Sequence, residues 1–102
     1  FSFRSTAFLD MRMDTSKGQS AAEVLATIDA ETLANAIYEY GEERHSRRVA
    51  RLITEHRPTT TADLAALVRK AVPKSADGID PATRTFQAIR ILVNDEMSQL
   101  KK

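Results

Sequence analysis

Tyr38-Glu39-Tyr40-Gly41-Glu42-Glu43-Arg44-His45-Ser46-Arg47-Arg48-Val49-Ala50-Arg51-Leu52-Ile53 is the stretch that decides how this chain folds. It holds a helix end, a corner, and a second helix with the densest charge in the sequence. At ~100° per residue, Arg44, Arg47, Arg48 and Arg51 fall within an arc of roughly 100°. Val49, Ala50, Leu52 and Ile53 lie on the far side. A helix patterned this way buries one face in a core and presents four guanidinium groups on the other.

The residues upstream of the corner supply its first helix. Asp29 is placed to cap a helix whose stripe is Leu33, Ile37 and Tyr40, with Gly41 as the glycine that ends it. Glu42 and Glu43 then occupy the positive end of the next helix, which runs to about His56 and stops near Pro58. Further upstream, Ser20-Ala21-Ala22-Glu23 matches a capping box that opens a short helix to about Ile28. Before it, Leu9, Met11 and Met13 alternate with Asp10, Arg12 and Asp14, the period of an extended segment with one covered face.

Downstream, Thr60 or Thr61 caps a helix with Leu64, Leu67, Val68 and Ala71 as its apolar stripe, closed by Pro73. Asp80-Pro81 is an N-cap followed by proline at the first helical position. The last helix is the longest, from Pro81 to about Gln99, with Phe86, Ile89, Val93, Met97 and Leu100 in one narrow stripe. Ile91 and Leu92 fall outside that stripe, so this helix is expected to touch two partners. The pattern predicts an all-α fold: four to five short helices packed as crossed hairpins, preceded by an extended N-terminal arm. The arm covers residues 1–19 and the helical unit residues 20–102. The expected core is Leu33, Ile37, Val49, Ile53, Leu64, Leu67, Val68, Phe86, Ile89 and Val93.

Charge narrows the function classes. The 102 residues carry a net charge of +1, too little for a global field that attracts polyanions. The charge is segregated instead. Ser20 to Glu43 holds Glu23, Asp29, Glu31, Glu39, Glu42 and Glu43 and no base, whereas Arg44 to Arg57 holds five arginines against Glu55. Arginine is the better side chain for bidentate phosphate contact. The plain alternative is a solvated helix face whose arginines pair with Glu39, Glu42, Glu43 and Glu55. Tyr38 and Tyr40 are candidates for base stacking, although Tyr40 lies on the core stripe.

Other chemistries find little support. There is no Cys, which excludes disulfides and thiolate metal sites. His45 and His56 stand eleven apart with no acid spaced to complete a metal site, and the three glycines at 18, 41 and 78 make no phosphate-binding loop. No Ser/His/Asp arrangement is legible, so no catalytic residue is assigned. The apolar runs are too short to span a membrane, no signal peptide is visible, and a cytoplasmic location is expected. The apolar start at Phe1, Phe3 and Phe8 reads as part of something longer.

Three blocks carry a resemblance. They are Leu9-Asp10-Met11-Arg12-Met13-Asp14; Tyr40-Gly41-Glu42-Glu43-Arg44 with Arg47-Arg48-Val49-Ala50; and Pro81-Ala82-Thr83-Arg84-Thr85-Phe86-Gln87-Ala88-Ile89-Arg90 with Val93-Asn94-Asp95-Glu96. In order and spacing they resemble the RsmH (MraW) family, S-adenosylmethionine-dependent methyltransferases acting on N4 of a cytidine in small-subunit ribosomal RNA. The blocks cover essentially the whole chain. It departs from the family pattern at Phe8, where a proline is usual, and at Asp80, where a histidine is usual.

The resemblance implies a helical domain inserted into a Rossmann-like methyltransferase domain, where it helps position the RNA. The family's Gly-rich cofactor loop and acidic ribose ligand lie upstream of Phe1, and the rest of its sheet follows Lys102. S-adenosylmethionine is therefore implied for the parent enzyme, with no cofactor-binding residue on this chain and no activity expected from it alone. Small-subunit ribosomal RNA and the methyltransferase domain are the implied partners. From their clustering on one face, the expected RNA contacts are Arg44, Arg47, Arg48 and Arg51, extended by Lys70 and Lys74 if the fourth helix packs alongside. Two rivals remain: a helical protein-binding adaptor using Phe1, Phe3, Phe8, Ile91 and Leu92, and a general nucleic-acid-binding module using the arginines alone.

Overall fold

The structure is a computed structural model that describes residues 8–13, 16, 18–73 and 78–99. Five helices follow one another: α1 (Ala21–Thr27), α2 (Ala30–Gly41), α3 (Ser46–His56), α4 (Thr61–Ala71) and α5 (Pro81–Gln99). The all-α reading holds. Among the described residues the extended pairing is limited to a single antiparallel bridge between Phe8 and Thr60. Much of the expected arm, residues 1–7, 14, 15 and 17, lies outside the described residues.

Local chemistry sets most helix starts. Ser20 Oγ accepts from the Glu23 N–H at 3.3 Å while Glu23 Oε1 accepts from the Ser20 N–H at 2.9 Å, a closed capping box. Asp29 Oδ2 accepts from the Thr32 N–H at 3.0 Å, and Thr60 Oγ1 from the Asp63 N–H at 3.2 Å. Each satisfies a donor that the first helical turn leaves without a partner.

Two starts and ends differ from the sequence reading. Gly41 is the last residue of α2 and is buried, and the left-handed residue after it is Glu42, at φ 55°. The reason is packing. A Cβ on Gly41 would lie 2.5 Å from the Arg84 carbonyl oxygen and 3.1 Å from the Ala88 Cβ of α5. Glycine is needed there for the close approach of two helices, and the left-handed turn falls to its neighbour. That turn delays α3 until Ser46. Glu42 and Glu43 are thus outside its first turn, and the Glu43 carboxylate, itself buried, accepts from the His45 N–H at 2.8 Å.

The helices close around one core. α2 packs chiefly against α3 and α5, α3 against α4, and α4 against α5, with α1 laid on α3 and α5. Leu33, Ile37, Val49, Ile53, Leu64, Val68, Phe86, Ile89 and Val93 are all buried as expected. Leu67 is only half-buried. The buried stripe of α4 is Thr61, Leu64, Ala65, Val68 and Ala71, and Leu67 stands roughly 100° off its centre. On α5, Leu92 packs at the edge of the core and Ile91 is half-buried, consistent with a helix that touches α1, α2 and α4. Met97 and Leu100 of its expected stripe lie outside the described side chains.

The segment before α1 is tied to everything around it. Leu9 is buried, its N–H donates to the Thr59 carbonyl at 2.9 Å, and its own carbonyl accepts from Ala22. Met11 holds φ 62°, a left-handed conformation that costs a non-glycine residue about 1–3 kcal/mol unless its surroundings impose it. Asn94 of α5 supplies that imposition. Its amide donates to the Met11 carbonyl and accepts from the Met13 N–H at 3.0 Å.

Two substitutions test this packing. Ile53→Ala is expected to cost ~2–5 kcal/mol in denaturant unfolding, as a fully buried truncation in the core. Gly41→Ala is expected to cost about 1–3 kcal/mol, because its clash is with backbone that can relieve it only by moving α5. If Gly41→Ala were neutral or stabilising, the close crossing would be wrong.

Candidate nucleic-acid interface

The corner between α2 and α3 opens a cleft of about 440 Å³. Tyr38 and Asn35 border it from α2. Arg44 and His45 border it from the turn, and Arg47 and Arg48 from the first turn and a half of α3. The delayed start of α3 shapes this place. Arg44 sits in the turn rather than on the helix, so the expected four-arginine arc is three helical arginines plus one carried on the corner. Glu42, left-handed at φ 55°, begins that corner.

The arginines are not equivalent. Arg44, Arg47 and Arg51 are exposed, and among the described residues none of them forms an ion pair or a side-chain hydrogen bond. The expected alternative, pairing with nearby glutamates, is therefore absent among those residues. Arg48 is partly engaged. Its Nη1 donates to the Ala71 carbonyl at 3.4 Å, satisfying an acceptor that the end of α4 leaves open. Arg51 is exposed one helical turn beyond the cleft and does not line it. Lys70 is exposed in the last turn of α4, one residue before the carbonyl that Arg48 reaches, so α4 does pack alongside. Lys74 lies outside the described residues.

Tyr38 and Tyr40 divide cleanly. Tyr40 is half-buried against the core, whereas Tyr38 is 62% exposed on the rim of the cleft. Ile37 anchors the buried stripe of α2, and a residue one position on points ~100° away from it. Asn35 joins Tyr38 on the outer side of the same helix, a placement that the sequence reading did not single out. Among the described residues no three His, Asp or Glu side chains gather as metal ligands would.

Charged side chains outside the cleft are structural. Arg57 takes φ 48° after α3 and sends Nη1 to the carbonyls of Leu25 and Ile28, at 2.9 and 2.8 Å, closing the end of α1. Asp10 grips Arg12 at Nε and Nη2, and this hydrogen-bonded guanidinium holds the Asp10 carboxyl below its ordinary value. Asp80 accepts from Arg69 Nη2 at 2.6 Å and from the Ala82 N–H at 3.1 Å, so it both caps α5 and ties it to α4. The Arg69 hydrogen bond lowers the Asp80 pKa and raises that of Arg69. Neither partner signals the pair in sequence, because eleven residues and a loop separate them.

The sequence profile of the MraW methylase family matches residues 1–102. Ribosomal RNA small subunit methyltransferase H of Rhodospirillum centenum is 56% identical over 106 residues, covering all of this chain and 32% of that protein. The protein of the same name from Paramagnetospirillum magneticum is 57% identical, covering all of this chain and 33% of its own length. That from Acinetobacter baylyi is 55% identical, over 99% of this chain and 34% of its own length. The chain thus spans about a third of the length of the curated relatives it matches.

The Arg69–Asp80 pair has a test of its own. Asp80→Asn keeps a capping acceptor but loses the charge, and is expected to cost under ~1 kcal/mol at neutral pH because both partners are well exposed. A carboxyl with a lowered folded-state pKa stabilises above its ordinary value of 3.8 and loses that contribution as pH falls through the lowered value. The stability difference between wild type and Asp80→Asn should accordingly close on acidification below pH 3.8. A difference that persists there would assign the effect to something other than the ion pair.

Proposed function

The chain belongs to the MraW methylase family, and on that premise we propose that it is the RNA-holding part of a methyltransferase that modifies N4 of a cytidine in small-subunit ribosomal RNA. The observation that carries the reading is that Arg44 and Arg47 at the α2–α3 corner make no ion pair or side-chain hydrogen bond among the described residues, in a chain whose net charge is only +1. Its curated relatives bear the name of ribosomal RNA small subunit methyltransferases. Exposed arginines left without carboxylate partners are free to meet phosphate oxygens bidentately.

In this reading residues 1–19 lead into the helical unit 20–102, and the labour is divided. S-adenosylmethionine supplies the methyl group when bound, and this reading places its site outside this chain. A methyl-donor site of the doubly wound kind needs a strand followed by a glycine-rich turn. Here the glycines stand singly, and Gly41 is consumed by the crossing of α2 and α5. Donor binding and the reacting cytosine are therefore assigned to the rest of the parent protein. Arg44, Arg47 and Arg51, with Arg48 and Lys70 beside them, hold the surrounding backbone and fix its position. The reading as a protein-binding adaptor is the weaker one, because Leu92, one of the residues it relies on, packs against the core.

The test is a salt titration of single-stranded RNA binding by the full-length protein. Each phosphate contact contributes about 0.7 to the slope of log affinity against log salt for a single strand. Replacing Arg44 and Arg47 together by Gln is expected to lower that slope by about 1.4 and to weaken binding similarly across sequences. Folding stability should barely change, since neither side chain makes a described polar contact. An unchanged slope would overturn the phosphate assignment.

A further inference from the structure

We propose that the cleft at the α2–α3 corner seats one unpaired RNA base on the ring of Tyr38, while Arg44 and Arg47 grip the phosphates beside it. The inference rests on the RNA reading above and adds what that reading lacks, a reason for the domain to prefer single strands.

Four observations carry it. Tyr38 is 62% exposed, whereas its neighbour Tyr40 is half-buried against the core, so α2 displays one ring outward and packs the other inward. The ring borders an open cleft of about 440 Å³. Three cations line that cleft with no carboxylate among its lining residues, and Arg44 and Arg47 have no described partner. Asn35 and His45 add side chains able to donate and accept at a base edge, in a cleft otherwise built for stacking and charge.

A basic surface interleaved with an exposed aromatic ring is how proteins hold single strands, because every base offers a π-face. A base inside an A-form duplex is covered on both faces by its neighbours and cannot reach such a ring. The cleft would therefore accept a loop, a bulge or a locally opened strand and reject a duplex. An acidic peptide is the other polyanion with suitable charge, but it brings no planar group for the ring.

The experiment compares full-length wild type, Tyr38→Ala and Tyr38→Phe. Each is titrated with a fluorescent single-stranded RNA, the same RNA bearing one abasic site at successive positions, and its duplex. Tyr38→Ala is expected to weaken single-strand binding on the order of five- to a hundredfold without changing its salt slope. Tyr38→Phe, which keeps the ring, should bind as wild type. At one position, removing the base should weaken wild type but not Tyr38→Ala, and duplex affinity should be the same for both. If Tyr38→Ala binds the single strand as wild type does while Arg44→Gln with Arg47→Gln still lowers the salt slope, the stacking proposal falls and the phosphate reading stands. If neither change affects RNA binding, both fall. Tighter binding of a glutamate-rich peptide than of RNA, lost in Tyr38→Ala, would hand the cleft to a protein partner and overturn the proposal.

Discussion

The close crossing of α2 and α5 at Gly41 is the constraint on which the rest of this structure depends. Backbone meets backbone there: the position a Cβ would take is 2.5 Å from the Arg84 carbonyl oxygen. Helices pack this closely only where one of them presents no side chain. The approach brings Ile37, Phe86 and Ile89 into one buried cluster and fixes where α2 must end. Because α2 ends against α5, the chain has to leave that contact sharply, and Glu42 takes the left-handed turn that lets it do so.

The geometry of the candidate interface follows from that exit. A chain that had continued smoothly from Gly41 would have begun its next helix at Glu42 and carried all four arginines on one helical face. The turn instead spends four residues before α3, buries Glu43 to hold the His45 N–H, and leaves Arg44 on the corner. The result is a concave place in which cations face an aromatic ring, rather than a flat basic helix. Arg48 belongs to both worlds, since it borders the cleft and also closes the end of α4. Candidate interface and scaffold thus share that side chain.

Elsewhere the elements are tied by polar links rather than by a close backbone crossing. Asn94 spans the left-handed Met11, Arg57 closes α1 from the end of α3, and Asp80 ties the start of α5 to Arg69 of α4. Each of these side chains reaches an element distant in sequence and meets a backbone group or a charge there. Strain at Met11 persists because Asn94 bonds both the Met11 carbonyl and the Met13 N–H.

Helix number, most caps and most of the core were legible from the sequence, because they depend on local chemistry. Ser20 with Glu23, Asp29, Thr60 and the stripe Leu33–Ile37 act over three or four residues, the range that helical periodicity reports. The resemblance to the methyltransferase family was equally legible in three ordered blocks. The role of Gly41 was not, since a glycine at a helix end is explained locally by handedness and only the neighbouring helix reveals that it serves close contact. Leu67 was placed in the core by a stripe that its own helix allows; the orientation of α4 against α3 and α5 decided for Ala65 instead. The arginines were visible as a cluster, but whether they pair with glutamates depends on distances that a linear pattern does not contain. Sequence alone determined which residues are apolar, capped or charged. Tertiary structure decided which of them face one another, because a helix fixes directions only relative to its own axis and the crossing at Gly41 sets those axes in space.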